Sequence, residues 1–175
     1  MRGERHRLLG PRGVRPAAQS TSGNPAASTA QGKAPPAATA PKKRVLFVCV
    51  GNSCRSQMAE AFARAYGADV LDVRSAGLVP ALSIAPLTKH VLSEHNLSID
   101  GQFPKGMDLA AREHYDTLVN MSGTPISLPG AQVLNWPVQD PIGRDESVYR
   151  SVANQIERLV MRLILEVRNE ARNGA

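Results

Sequence analysis

The chain has 175 residues, 42% of them hydrophobic, and a formal net charge of +6, enough for one domain with a real core and too little for two comfortable ones. The charge is unevenly placed: residues 1–44 hold nine Lys or Arg against the single acidic Glu4, and the remainder has 12 basic and 14 acidic residues. A mildly acidic domain argues against a nucleic-acid interface on the domain itself, and two cysteines without a nearby His pair argue against both a disulfide framework and a zinc site, so a reducing, cytoplasmic setting is expected.

Residues 1–43 are rich in Ala, Pro, Gly, Ser, Thr and Arg and lack aliphatic periodicity. Such a segment cannot bury enough surface to offset the entropy of ordering it, and it reads as a disordered basic tail. Leu8-Leu9 is too short for a secretory hydrophobic region. The Arg-rich, acid-poor composition resembles an organellar transit peptide, but a plain tail is the reading adopted. No later stretch approaches the length of a membrane span, and the folded domain is expected over residues 44–172.

That domain opens on an apolar, β-branched run, Arg44 to Val48, which suits a parallel strand covered on both faces. A seven-residue turn follows, bracketed by Cys49 and Arg55, and then a helix to about Tyr66. Five residues curled between a strand end and a helix start aim several backbone N–H groups at one anion, with the thiol beneath it and the guanidinium beside it. The same place favours the thiolate form of a cysteine, which makes Cys49 the candidate nucleophile. Gly51 lets the backbone approach a ligand, and Ser56 is positioned to donate its hydroxyl to the sulfur. In the helix, Met58, Ala59, Phe62 and Ala63 or Tyr66 share a core face, and Glu60 with Arg64 reads as a solvated pair on the other.

Gly67 stops the helix, and Val70 to Ser75 reads as the second strand, ending in the turn Ser75-Ala76-Gly77. A second helix spans about Pro86 to Asn96, carrying His90 and His95 on its surface. Met107 to His114 reads as a short helix, Tyr115 to Met121 as a third strand and Ala131 to Trp136 as a fourth. Trp136 belongs either to the core or to a cleft wall. Residues 137–143 form a loop, in which Pro141 holds Asp140 on extended backbone, where a general acid over the anion would stand. The last helix runs from Asp145 or Ser147 to about Ala171, with Val148, Val152, Ile156, Leu159, Val160, Leu163 and Val167 in one apolar stripe. The expected fold is α/β, three layers around a four-stranded parallel sheet, with the loop at the carboxyl end of the first strand.

The run Val48-Cys49-Val50-Gly51-Asn52-Ser53-Cys54-Arg55-Ser56-Gln57-Met58-Ala59-Glu60 resembles the phosphate-binding loop of low-molecular-weight protein tyrosine phosphatases and of the arsenate reductases that share their phosphatase I-like fold. Ser75-Ala76-Gly77 and Asp140-Pro141 resemble two further landmarks, so the resemblance covers roughly residues 44–170. It implies Cys49 as nucleophile, Arg55 as oxyanion clamp and Asp140 as general acid. It also implies substrate contacts from Val50, Gly51, Asn52, Ser53 and Cys54, with Asn52, Ser56 and Ser75 holding the loop. Cys54 is either a packing residue or a redox partner for oxidised Cys49. The chain departs from both branches: it has Met121-Ser122 where many of the phosphatases have Met-Asp, no cysteine between Ser122 and Pro129, and Ile142 where an aromatic residue often flanks a substrate ring.

The reading that follows is hydrolysis of phosphate monoesters through a phosphocysteine, on a phosphorylated protein or a small phosphate ester, with no metal or other cofactor required. Arsenate reduction with an external thiol is the alternative, and a non-catalytic phosphoprotein-binding module is an alternative of another class. On the oligomeric state the sequence is silent.

Overall fold

The computed structural model describes residues 41–174, so the expected tail lies outside the described residues up to residue 40. Four strands, β1 (Lys43–Cys49), β2 (Leu71–Gly77), β3 (Thr117–Asn120) and β4 (Gln132–Asn135), form one sheet in the order β2-β1-β3-β4. All three pairings are parallel, with Cys49 opposite Gly77 and Val48 opposite Asn120. The helices are α1 (Arg55–Tyr66), α2 (Pro86–Glu94), α3 (Met107–Ala110) and α4 (Glu146–Asn173).

β1 is central because its side chains feed two cores at once. Val45, Phe47 and Cys49 point into a cluster with Met58, Phe62, Val91, Ile156 and Ile164 from α1, α2 and α4. Leu46 and Val48 point into a second cluster, with Tyr115, Leu118 and Ala110 of α3. A strand buried on both faces cannot alternate apolar with polar, hence the continuous run in the sequence. β4 is the exposed edge, with Gln132 and Asn135 open to solvent.

α4 is capped at its start by Asp145, whose carboxylate accepts the Val148 N–H at 3.2 Å. Its buried face is Tyr149, Val152, Ala153, Ile156, Val160, Leu163, Ile164 and Val167. Of the expected stripe, Val152, Ile156, Val160, Leu163 and Val167 are enclosed, while Val148 and Leu159 sit at its margin, packed against the cluster. Each large aliphatic side chain buried here contributes about 1.5–3 kcal/mol, and these contacts hold the helix against α1. Its polar residues fall on the outer face, and among the described residues no helix is long and apolar enough to cross a membrane.

Candidate functional site

The loop between β1 and α1 is shaped by where its carbonyls go. Val50 O accepts the N–H of Val79 at 2.9 Å, Gly51 O that of Ala81 at 2.9 Å, and Ser53 O that of Ala85 at 3.0 Å together with the Thr88 hydroxyl at 3.1 Å. Asn52 O accepts from Gln57 Nε2 at 2.9 Å. In a trans peptide the N–H points opposite the preceding carbonyl, so the N–H groups of Gly51, Asn52, Ser53 and Cys54 are all turned to the other side. Those of Asn52, Ser53 and Cys54 make no backbone hydrogen bond among the described residues. Four such donors at the start of α1 form an anion cradle.

Asn52 adopts a left-handed backbone conformation (φ 47°), which Asn tolerates better than most residues, and its side chain is fully engaged. Nδ2 donates to Ser56 Oγ at 2.8 Å and to Ser75 Oγ at 2.9 Å, while Oδ1 accepts from Gln57 Nε2 at 3.1 Å and from the Lys105 N–H at 2.7 Å. The Ser56 hydroxyl thus receives a hydrogen bond from Asn52 and shares a second with Cys49 Sγ, 3.0 Å away, in which either atom can be the donor. Gly77 closes the back of the loop. A Cβ there would lie 2.7 Å from Asn52 N and 2.8 Å from Val50 O, so only glycine lets β2 end against the turn.

Glu60 corrects the sequence reading. It does pair with Arg64 (2.5 Å), but its side chain is 1% exposed rather than solvated, and it accepts a hydrogen bond from the Ser75 hydroxyl. Lys105 Nζ lies 3.7 Å from the same carboxylate; burial pulls the Lys105 ammonium down from its ordinary range and the Glu60 charge pushes it back up. Gln57, Thr88, Lys105 and Gly77 also went unrecognised in the sequence as supports of the loop. Of these only Gln57, inside the loop motif, and Gly77, in the Ser75-Ala76-Gly77 landmark, carried any signal.

Arg55 is held from behind by backbone. Its Nη1 donates to Met121 O at 2.7 Å and Val138 O at 3.2 Å, and its Nη2 pairs with Asp140 Oδ2 at 2.5 Å. Its Nε is buried and has no partner among the described residues. A pocket of about 240 Å³ lies in front, lined by Cys49, Val50, Gly51, Ser53, Cys54, Arg55, Ala81, Asp140 and Ile142. The structure therefore brings Cys49, Arg55 and Asp140 to one cleft, with Asn52, Ser56 and Ser75 behind it. Among the described residues no aromatic ring lines the cleft. Trp136 is half-buried, 5.8 Å from the Phe47 ring, and borders a different hollow beside Asn120 and Thr124.

Both cysteines are free and buried. Burial pushes the Cys54 thiol up to about 12, against a lowering hydrogen bond with Thr88, so at neutral pH Cys54 is a thiol and a slow attacking group. His90 is exposed, as expected, but His95 is not: it packs edge-on against Phe62 at 5.1 Å. His90, Glu94 and Glu146 gather on the surface between α2 and α4, where the Arg150 guanidinium pairs with both carboxylates.

The family model for low molecular weight phosphotyrosine protein phosphatase matches residues 44–173. The chain belongs to that family. Its relatives extend across both chemistries expected from the sequence. A glutaredoxin arsenate reductase of Synechocystis sp. is 34% identical over 130 residues, covering 71% of this chain and 98% of the relative. An arsenate reductase solved in its phosphate-binding state superposes with a TM-score of 0.66 at 33% identity, over 71% of this chain and 98% of the other. A low molecular weight protein tyrosine phosphatase from T. tengcongensis gives 0.60 at 26% identity, over 71% and 99%. These similarities put arsenate reduction ahead of ester hydrolysis, reversing the order expected from the sequence, and leave the specific activity of this member open between the two.

Proposed function

We propose that this protein reduces arsenate, with Cys49 as nucleophile and an external thiol as reductant. The observation that carries this is the cleft itself: the Cys49 thiol and Arg55 lie together in it, and among the described residues its walls are Ala81 and Ile142, with no ring to embrace an aryl ester. The arsenate reductase relatives support the same reading. Cys49 Sγ attacks arsenic, and a hydroxyl leaves as water on taking a proton that Asp140 is placed to give. An external thiolate then attacks Cys49 Sγ. The sulfur–arsenic bond breaks, arsenic keeps the electron pair and departs as arsenite, and Cys49 is left in a mixed disulfide. A second external thiol releases Cys49, so two thiols become one disulfide for each arsenic reduced from the pentavalent to the trivalent state.

The reductant is external because, apart from Cys49, the sequence has only Cys54, a buried and protonated thiol. The expected result is arsenite formation that depends on an added glutathione-type thiol, none with thioredoxin alone, and aryl phosphate turnover far slower. Metal-independent aryl phosphate hydrolysis near pH 6 exceeding thiol-dependent arsenite formation, on the same preparation, overturns the reading.

Hydrolysis is the second reading, and the Asp140–Arg55 pair at the cleft mouth favours it, since a phosphocysteine route needs an acid for the leaving oxygen and then a base for water. For whatever ester turnover exists, Asp140→Ala is expected to slow esters with poor leaving groups about 10²-fold and those with good leaving groups only a few-fold. A uniform loss across leaving groups would assign Asp140 to holding Arg55 instead.

A further inference from the structure

The two edges of the sheet are guarded differently. β2 carries Asp72 and Arg74, paired at 3.0 Å and partly exposed, and its end is bridged by the segment at Gly106. Charged side chains and partial cover keep an edge strand from pairing with another chain. β4 has no such charges. Between Asp116 and Asp140 the sequence holds no Lys, Arg, Asp, Glu or His, in a chain that is 21% charged, so the edge strand and the segments on both sides of it are neutral.

The backbone of β4 is only half used. Gln132 N–H donates to Asp116 O at 2.9 Å and Trp136 N–H to Asn120 O at 2.9 Å, so the even-numbered residues face β3. The N–H and C=O groups of Val133 and Asn135 point away from the sheet and have no partner among the described residues. Beyond them the donors run out. Ala131 N–H is taken by Leu128 O at 3.1 Å, while Pro137 has no N–H and its carbonyl accepts from Gln155 Nε2 at 3.2 Å.

An edge of this kind is complementary to itself. Run antiparallel against a second copy, Val133 falls opposite Asn135 and Asn135 opposite Val133, and each such pair exchanges two N–H···O bonds. Leu134 then meets its own copy on the two-fold axis, as the closer, non-hydrogen-bonded kind of pair. It does so on the face where Leu134 and Trp136 already pack against the larger core. The next pair outward is Ala131 with Pro137, where pairing leaves no free donor stranded.

We infer that β4 is the interface of a two-fold dimer of this chain, its strands pairing antiparallel about Leu134 to join two sheets into one. The charges select a second copy as the occupant. Two chains of net +6 repel over most approaches, and the neutral segment from Thr117 to Gln139 brings them together without placing charged side chains of the paired strands face to face. The guarded β2 edges then lie outermost, so association closes at two. The pairing uses no residue that lines the cleft. Its few hydrogen bonds and one leucine pair make a small interface, in the class of reversible complexes.

The test is sedimentation of the full chain from about 1 μM to about 1 mM, the range over which a weak dimer dissociates. Trp136, the chain's single tryptophan, comes opposite Gln132 of the second copy and reports on pairing by its emission. The expected result is a concentration-dependent dimer, a blue shift of Trp136 that follows it, and exchange of the Val133 and Asn135 amides, read by NMR, that slows only at high concentration. Asn135→Ala loses the side-chain bond from Asn120 but keeps the N–H, and its dissociation constant is expected within about threefold of wild type; Asn135→Pro removes one donor per copy and weakens the dimer at least about tenfold. Should Asn135→Pro fail to fold, Asn135→Lys decides: it keeps the N–H and sets two like charges diagonally across the axis, so the dimer weakens at low salt and returns towards the Asn135→Ala value at high salt. A monomer at every concentration, a dimer that neither the Pro nor the Lys variant weakens, or Val133 and Asn135 amides protected equally at all concentrations, which would mean an edge covered within one chain, would each overturn the inference.

Discussion

Cys49→Ser is expected to lower both thiol-dependent arsenite formation and any aryl phosphate turnover by at least about 10³-fold, while arsenate and phosphate still bind within a few-fold of the parent affinity. The two halves of this expectation have separate physical origins. Turnover needs a strong nucleophile, and a serine hydroxyl is a far weaker one than sulfur unless a base takes its proton; among the described residues the cleft lining contains Asp140 and no histidine. Binding needs the inward N–H groups and Arg55, which the substitution leaves in place because they are set by Val50, Gly51, Asn52 and Ser53 carbonyls bonded outward. Calorimetric titration with each oxyanion, alongside both turnover assays, separates them. Residual turnover within tenfold of wild type would put the nucleophile elsewhere, and loss of binding together with turnover would make Cys49 a structural residue of the loop.

The sheet and its order of elements were legible because β1, with its apolar residues from Val45 to Val48, and the helical spacing of α1 and α4 each follow one dominant periodicity. Boundaries shifted where tertiary bonds decided them. β2 continues to Gly77 because Cys49 pairs opposite it, although Ser75-Ala76-Gly77 has the composition of a turn. The short third helix stops at Ala110 rather than His114. The last helix buries Val152, Ile156, Val160, Leu163 and Val167 as expected, while Tyr149, Ala153 and Ile164 widen the buried face beyond the residues read for it.

Of the candidate site, the residues carried by the loop motif were readable, since their chemistry and their sequence neighbourhood coincide. Of what supports the loop from elsewhere, Ser75 was readable through the family resemblance and bonds Asn52; the rest was not. Glu60 was misread for a physical reason: an i, i+4 acid–base pair is ordinarily a surface feature, and here the basic partner does reach solvent while the acid lies under β2 and the segment before α3. Thr88 and Lys105 reach the loop from 35 and 53 residues beyond their respective partners Ser53 and Asn52, distances over which a single sequence holds no pairing information.

Arg55→Lys is expected to be nearly as severe as loss of the thiol: turnover falls about 10²–10³-fold, with a smaller weakening of oxyanion binding. The guanidinium satisfies three demands at once and keeps one donor unused. Two N–H···O bonds to Met121 O and Val138 O tie together the ends of two separate segments, Nη2 meets Asp140, and the buried Nε has no acceptor among the described residues. A lysine ammonium is a single point with three protons on a flexible stem. It can meet the oxyanion as a charge, which preserves part of the binding, or it can serve the carbonyls of Met121 and Val138; it cannot do both while holding Asp140 over the cleft. Leaving one buried carbonyl unpaired costs about 1–3 kcal/mol, so the melting temperature of the free variant should drop as well. Oxyanion-induced stabilisation, measured against that lowered baseline, isolates the binding contribution from the structural one. Turnover retained within about fivefold would mean that charge alone suffices at this position, and the fork geometry assigned to Arg55 would then have no role in the chemistry.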